Sequence, residues 1–155
     1  IGSGYAAEEL KQLAEKLNLS SKVFFLGTII DREILKNYYA AADLFLFPSL
    51  YDNAPLVVRE AAALHTPSLL IKDSTSAEII TDSVNGFLSY NSTADYAQKI
   101  RELVQSPLLM RMVGDKASQT IARSWEEVVD EVYDRYMSLI RRTSGIQKTF
   151  LWEAI

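Results

Sequence analysis

The sequence has 155 residues, 48% of them hydrophobic and 23% charged, which is enough for one domain with a buried core. Its formal net charge of −4 argues against a nucleic-acid binder, which needs a basic surface to neutralise phosphates. With no cysteine and one histidine, the chain excludes disulfides, thiolate chemistry and a multi-histidine zinc site. It shows neither a signal-peptide pattern nor an apolar run of the roughly 18 residues that a membrane span needs, so we expect a cytoplasmic protein.

Helices and strands are predicted to alternate along the chain, because apolar residues recur at helical spacing in some segments and form short unbroken runs in others. In chain order we predict a helix around 10–17, a strand at 22–27, a helix after Asp31, a strand at 43–49, a helix at 56–64, a strand at 67–71, a short helix from Thr75, a strand at 85–90, and helices around 96–104, after Pro107 and from Trp125.

Three helix starts carry capping signals. Asp31 and Ser124 are expected N-caps, and Thr75 with Glu78 has capping-box spacing. The last helix is expected to end at 141–145, which leaves residues 1–145 as one domain and 146–155 as a C-terminal tail. The helix predicted at 56–64 is expected to end near Leu64, and His65 after it is expected to adopt a left-handed backbone conformation.

This alternation predicts an α/β fold, a Rossmann-like parallel sheet with helices on both faces. Ligands of such sheets bind in the crevice at the carboxyl ends of the strands. The segment "PSLYDNAPLVVREAAALHTP", residues 48–67, follows one of these strand ends. It is therefore the first place to look for a binding site.

A phosphate site can be predicted inside this segment. Pro55 fits the first turn of a helix, which leaves the amides of Leu56 and Val57 free to bind an anion at the positive end of the helix dipole. Glu60, about one turn further on, can accept two O–H groups from a vicinal diol, as an acidic residue does for ribose in dinucleotide-binding folds. Asp52 lies on the preceding loop and can accept hydroxyls beyond the phosphates. The order hydroxyl, phosphate, ribose is that of a nucleotide sugar, but the spacing alone supports only a ligand that carries phosphate.

Other interpretations fit parts of the same sequence. Asp52 and Asn53 are ordinary turn residues, and Glu60 can be a solvated helix residue. The alternative function is a non-catalytic α/β nucleotide- or phosphate-binding regulatory module. Such a module needs a phosphorylatable aspartate at a strand end, whereas Asp52 lies well past the end of its strand. "GSGYAA", residues 2–7, resembles a dinucleotide-binding loop, but no acidic residue ends the next strand. Tyr38, Tyr39 and Trp125 lie at core spacing in their helices and are expected to pack.

A family resemblance favours the nucleotide sugar. The chain resembles the retaining nucleotide-sugar glycosyltransferases with two Rossmann domains, the group 1 family of GT-B type, from about residue 2 to residue 136. The motifs that carry the resemblance are "VFFLG", "AADLFLFPS", Leu56-Val57, Glu60-Ala61, Pro67, "AEII", "NGF" and "SWEEVVDEVYDRY", in the family's order.

The resemblance implies a role for each site residue. Asp52, Asn53 and Ala54 would contact the donor sugar, and the Leu56 and Val57 amides would hold the diphosphate. Glu60 would bind the ribose. The residues implied to flank the base are Gly27, Thr28 and Ile29. No catalytic residue, metal or cofactor is assigned, and the substrate is expected to be a UDP-linked sugar.

The resemblance also implies parts beyond this chain. The family's first strand-loop, with an Arg-Lys pair against the diphosphate, has no counterpart here. We expect a C-terminal donor-binding domain of a hexosyl-type transferase, inactive alone. Its acceptor, a lipid or glycan of the bacterial cell envelope, would bind a missing N-terminal domain, and the full-length protein could associate peripherally with the membrane. Asp52 stands where the family has glutamate, and Asn53-Ala54-Pro55 replaces Gly-Phe-Gly, so the identity of the sugar is the least determined part.

Overall fold

A computed structural model describes residues 1–53 and 55–150 of the chain. The helices and strands are, in order, α1 Ala7–Lys16, α2 Arg32–Ala41, β1 Phe45–Phe47, α3 Leu56–Ala63, β2 Ser68–Ile71, a 3-10 helix Thr75–Ile79, β3 Phe87–Ser89, α4 Thr93–Val104, α5 Pro107–Thr120 and α6 Trp125–Phe150.

The three strands form one parallel sheet in the order β1-β2-β3. Leu69 pairs with Leu46 on one side and with Phe87 on the other. The central strand β2 is buried throughout, and its alternating side chains enter two separate cores. Leu70 packs on one face with α3 and the end of α5, and Leu69 packs on the other with α4 and the start of α5. This confirms the predicted Rossmann-like α/β fold with helices on both faces.

Two of the three predicted caps form. The Asp31 carboxylate accepts hydrogen bonds from the amides of Glu33 (2.9 Å) and Ile34 (3.2 Å). Ser124 and Glu127 form a reciprocal capping box, with N–H···O distances of 3.1 and 2.8 Å. The third prediction is wrong, because Ser74 precedes the 3-10 helix and no side chain caps it.

The strand predicted at 22–27 is absent, which corrects the sequence analysis. Residues 23–30 have no regular secondary structure, and Phe24 is 71% exposed. The apolar run was correctly identified, but a strand also needs a neighbour to pair its backbone groups. Among the described residues, the backbone bond that reaches this segment from a distant part of the chain runs from the Gly2 amide to the Gly27 carbonyl (2.7 Å).

The last helix differs from the prediction at its end. α6 continues to Phe150, through the positions 141–145 where we expected it to stop. Positions 151–155 of the predicted tail lie outside the described residues. The apolar stripe of α6 is largely exposed, with Trp125 at 71% and Tyr136 at 64%, so the expected packing of Trp125 is wrong. Within residues 1–53 and 55–150, no helix has the length and apolar character to cross a membrane.

Candidate functional site

The loop that carries Asp52 lies at the carboxyl end of β1. Asp52 and Asn53 are both exposed, and Ala54 lies outside the described residues. The loop is fastened through its backbone, because the Thr75 hydroxyl donates to the Asp52 carbonyl (3.2 Å) and the Ser76 hydroxyl donates to the Ser49 carbonyl (3.3 Å). The 3-10 helix that follows β2 therefore positions this loop, a role that the predicted capping box did not suggest.

The phosphate-binding prediction depends on the start of α3. Pro55 is the N-cap rather than the first helical residue, with φ −63° and ψ 119°, and α3 begins at Leu56. No side chain caps this start within the described residues. The first intrahelical bond is that of the Val58 amide to the Pro55 carbonyl (3.2 Å), so the Leu56 and Val57 amides precede it. The helix start thus has the geometry of an anion site.

Glu60 is held by two side chains of α2. Arg32 Nη1 donates to Glu60 Oε1 (2.8 Å), and the Tyr39 hydroxyl donates to Glu60 Oε2 (3.4 Å). The Glu60 side chain is 33% exposed, whereas that of Arg32 is 75% exposed. Partial burial and the nearby Glu60 carboxylate raise the pKa of Tyr39 to about 12, so its hydroxyl stays protonated at neutral pH.

The predicted base-flanking residues lie beside β1, and two of them line a cavity together with residues of that strand. Gly27 has φ 66°, a conformation that favours glycine. The Thr28 and Ser3 hydroxyls are 2.9 Å apart. Thr28 and Ile29 line a cavity of about 590 Å³ with Val57 and Tyr39. The structure therefore brings the predicted base loop and the start of α3 to one cavity.

Glu60 itself faces two smaller cavities. One, of about 280 Å³, is lined by Arg32, Tyr39 and Glu60 among others. The second, of about 450 Å³, lies between Leu56, Glu60 and the start of α6. Tyr39 lines both the 280 Å³ and the 590 Å³ cavities, so it links Glu60 to the predicted base loop. Asp52 and Asn53 line none of these three cavities.

Sequence reasoning missed the basic residues of the 450 Å³ cavity. Three arginines line it, and each is already hydrogen-bonded. Arg32 binds Glu60 (2.8 Å), Arg59 donates to the Ile121 carbonyl (2.7 Å), and Arg123 pairs with Glu131 (2.6 Å). Arg59 stands next to Glu60 in the sequence, but no sequence pattern indicated that Arg32 and Arg123 approach the same cavity.

Tyr39 was expected to pack, and it does so while also serving Glu60. Its ring meets Phe45 edge-on, with centroids 5.5 Å apart. The signal that could have found its second role is weak, because helical spacing tells which face of α2 is apolar but not which carboxylate lies opposite. Within the described part of the chain, no three His, Asp or Glu side chains group together as a metal site.

Comparison with known proteins finds related glycosyltransferases. Residues 1–120 match the family model "Glycosyl transferases group 1". A putative glycosyltransferase of Bacillus subtilis strain 168, EpsD, is 31% identical over 151 residues, which cover 94% of this chain and 39% of that protein. The chain spans less than half the length of the first curated relatives it matches.

Two solved structures share the fold. Sucrose-phosphate synthase from Thermosynechococcus elongatus superposes with a TM-score of 0.76 at 25% identity, over 87% of this chain and 34% of that one. HepE from Anabaena, in complex with UDP and glucose, superposes with a TM-score of 0.69 at 25% identity, over 84% and 36%. With a family model that covers most of its length and with these neighbours of GT-B type, the chain belongs to the group 1 glycosyltransferase family.

Proposed function

We propose that this chain is the domain that binds the nucleotide-sugar donor of a retaining, hexosyl-type glycosyltransferase. The observation that carries the proposal is Glu60, an acidic side chain held by Arg32 and Tyr39 and still 33% exposed toward two cavities. A carboxylate in this setting suits a ligand that donates two hydroxyl hydrogens. The solved HepE complex contains UDP and glucose, which supports a UDP-linked hexose as the donor.

Each predicted residue then has a chemical task. Glu60 accepts hydrogen bonds from the ribose diol, and the amides of Leu56 and Val57 bind the diphosphate at the start of α3. Thr28 and Ile29 flank the base in the cavity they share with Val57. In the reaction the nucleoside diphosphate leaves with a growing negative charge, which the helix amides stabilise because their dipoles are already oriented.

The donor sugar and the acceptor complete the proposal. Asp52 and Asn53 contact sugar hydroxyls, and the loop that carries them is held by Thr75 and Ser76. The acceptor is a lipid or glycan of the bacterial cell envelope, bound by another domain of the complete transferase. That transferase acts in the cytoplasm, at the inner face of the membrane when its acceptor is a lipid. No residue of this chain is assigned to the chemical step.

Replacing Glu60 tests the ribose contact. We expect Glu60→Gln to weaken the binding of UDP by about 1–3 kcal/mol, because charge-assisted hydrogen bonds to the diol become neutral or unpaired. Calorimetric titration with UDP and GDP measures the change, and comparison of the two nucleotides shows which base is preferred. The melting temperature should barely move, since an ion pair with a largely exposed Arg32 contributes little to stability.

The matched control is Glu9→Gln, which makes the same chemical change at an exposed position of α1. It should bind UDP as the unmodified chain does. Equal affinities of Glu60→Gln and the unmodified chain would sink the assignment. If Mg²⁺ with a phosphoryl mimic raised the melting temperature while UDP did not, the regulatory-module alternative would be favoured instead.

A further inference from the structure

The two α2 side chains that hold Glu60 approach it from different directions. Arg32 stands at the first position of α2 and contacts Oε1, whereas Tyr39 lies two turns later and contacts Oε2. The two oxygens of the carboxylate thus have separate partners. Two such contacts restrict rotation about the last bonds of the Glu60 side chain, so its plane is set by α2 rather than by its own helix.

Tyr39 is itself firmly placed. Its ring packs edge-on against Phe45 of β1, with an interplanar angle of 73°. Its backbone carbonyl accepts a hydrogen bond of 2.6 Å from the Thr66 hydroxyl, and Thr66 is 2% exposed. The backbone and the ring of Tyr39 are therefore both held, which places its hydroxyl beside Glu60.

The held carboxylate keeps acceptor capacity for a ligand. A carboxylate offers about four lone-pair sites, of which the bonds to Arg32 and Tyr39 use two, one on each oxygen. One acceptor site on each oxygen remains, which is the pattern that a vicinal diol can fill with its two O–H groups. Stability does not account for the contact with Arg32, because an ion pair with a 75% exposed arginine contributes little to folding.

We propose that Tyr39 and Arg32 are positioning residues that hold the Glu60 carboxylate in the orientation that selects a ribonucleotide over a nucleotide without the 2′,3′-diol. This inference rests on the proposed function, because it assumes that Glu60 meets the ribose. It adds two residues of α2 to a ribose contact otherwise made by α3, and it assigns to them the discrimination between a ribose with its diol and one without it.

The experiment measures discrimination rather than affinity alone. The full 155-residue chain is titrated with UDP and with 2′,3′-dideoxyuridine 5′-diphosphate, and the affinity ratio is compared between variants. We expect the unmodified chain to prefer UDP by about tenfold or more, as charge-assisted hydrogen bonds imply. Tyr39→Phe should lower that ratio about fivefold, within the range of coupling between contacting residues, while the affinity for the dideoxy nucleotide stays unchanged.

Tyr133→Phe is the matched control, because it makes the same chemical change at a tyrosine of α6 that is 62% exposed and lines none of the three cavities of the site. It should leave the ratio unchanged. Arg32→Gln is a second variant at a largely exposed position, so it should fold even if Tyr39→Phe does not. It should also lower the ratio, and Arg32→Lys should restore part of it by keeping the charge.

The possible outcomes separate the two proposals. An unmodified chain that binds both nucleotides equally would contradict the ribose role of Glu60, and with it the proposed function. An unmodified chain that discriminates, with variants Tyr39→Phe and Arg32→Gln that discriminate equally well, would overturn the positioning role alone. The affinity ratio of each variant should be the same at pH 6 and pH 9, since the Tyr39 pKa of about 12 keeps its hydroxyl protonated throughout.

Discussion

At the turn between α3 and β2, His65 has a φ of 62°, in the left-handed region. This confirms the conformation predicted for it. The amides of Leu64, His65 and Thr66 return to carbonyls in the last turn of α3, so the turn closes the helix before Pro67 leads into the sheet. This conformation is sterically unfavourable for a residue with a Cβ atom. A 2.8 Å contact of His65 Nδ1 with Asp115 Oδ1 compensates part of that cost.

We expect His65→Gly to be neutral or stabilising, so the free energy of unfolding should stay within about 1 kcal/mol of the unmodified value or rise. Glycine removes a strain of about 1–2 kcal/mol, but it loses the exposed contact with Asp115 and gains entropy in the unfolded chain, each about 1 kcal/mol or less. Urea denaturation measures the sum. His65→Val serves as the opposite case and should destabilise by about 1–2 kcal/mol, since a β-branched residue tolerates positive φ poorly. A His65→Val chain as stable as the unmodified one would contradict the argument.

Residue-scale prediction from sequence succeeded where the cause was local. The cap at Asp31 and the left-handed His65 depend on a few neighbouring positions, and both are confirmed. The bonds of Glu60 to Arg32 and Tyr39 join positions 28 and 21 apart in sequence. Such contacts follow from how α2 packs on α3, which a single sequence does not specify.

Among the helices, α5 makes an unusually close approach to the α3–β2 turn. A Cβ atom added to Gly114 would lie 2.0 Å from the His65 carbonyl oxygen and 3.1 Å from Pro67 Cδ. Backbone rather than a flexible side chain stands at the shorter distance, so the clash cannot be relieved by a rotamer change. Gly114 lets this helix bury Val113 and Ala117 against the two cores.

We expect Gly114→Ala to destabilise the chain by about 1–3 kcal/mol, because the cost of overpacking exceeds the gain in helix propensity of about 1 kcal/mol. Thermal unfolding should show a melting temperature lower by roughly 3–10 °C for a domain of this size. Gly4→Ala is the control, since no atom lies within 4 Å of the position a Cβ would take there. A Gly114→Ala chain with an unchanged melting temperature would show that α5 can shift away from the turn at no cost.

Strands could be predicted from sequence where an apolar run also finds a neighbouring strand in the sheet. Three predicted strands, at 43–49, 67–71 and 85–90, contain the observed β1, β2 and β3. The fourth, at 22–27, has the same apolar composition but no strand partner in the described structure. The burial expected of this apolar run is also wrong, since Phe24 is 71% exposed. Burial and strand pairing both require neighbouring elements that the run itself does not specify.

At the scale of the whole molecule, apolar side chains are exposed on several separate elements. Leu10 and Leu13 of α1 are each 49% exposed, Phe24 is 71% exposed, and Val129 of α6 is 62% exposed. The two helices α1 and α6 form as predicted, but large parts of their apolar stripes are exposed. The curated relatives are more than twice as long as this chain.

The balance of charges at the proposed donor site decides how tightly this chain binds alone. The start of α3 offers amides to a diphosphate, and each such bond contributes about 1.5–3 kcal/mol before the cost of association, which is of similar size. The three arginines beside Leu56 are already engaged by Glu60, the Ile121 carbonyl and Glu131. Glu60 and Glu131 offset the charges of Arg32 and Arg123, so an anion must compete with these carboxylates, whereas Arg59 keeps its charge because its partner is a neutral carbonyl.

We accordingly expect the 155-residue chain to bind UDP with a Kd of about 0.1–1 mM and to show no detectable sugar transfer, because the acceptor must also be oriented for attack. Nuclear magnetic resonance titration measures the affinity, and radiolabelled UDP-glucose tests for transfer or hydrolysis. The longest product that the gene encodes, assayed in parallel, should bind at least about tenfold more tightly if it adds cations at the diphosphate. Micromolar binding or measurable turnover by the 155 residues alone would show that the diphosphate site is misplaced or already complete.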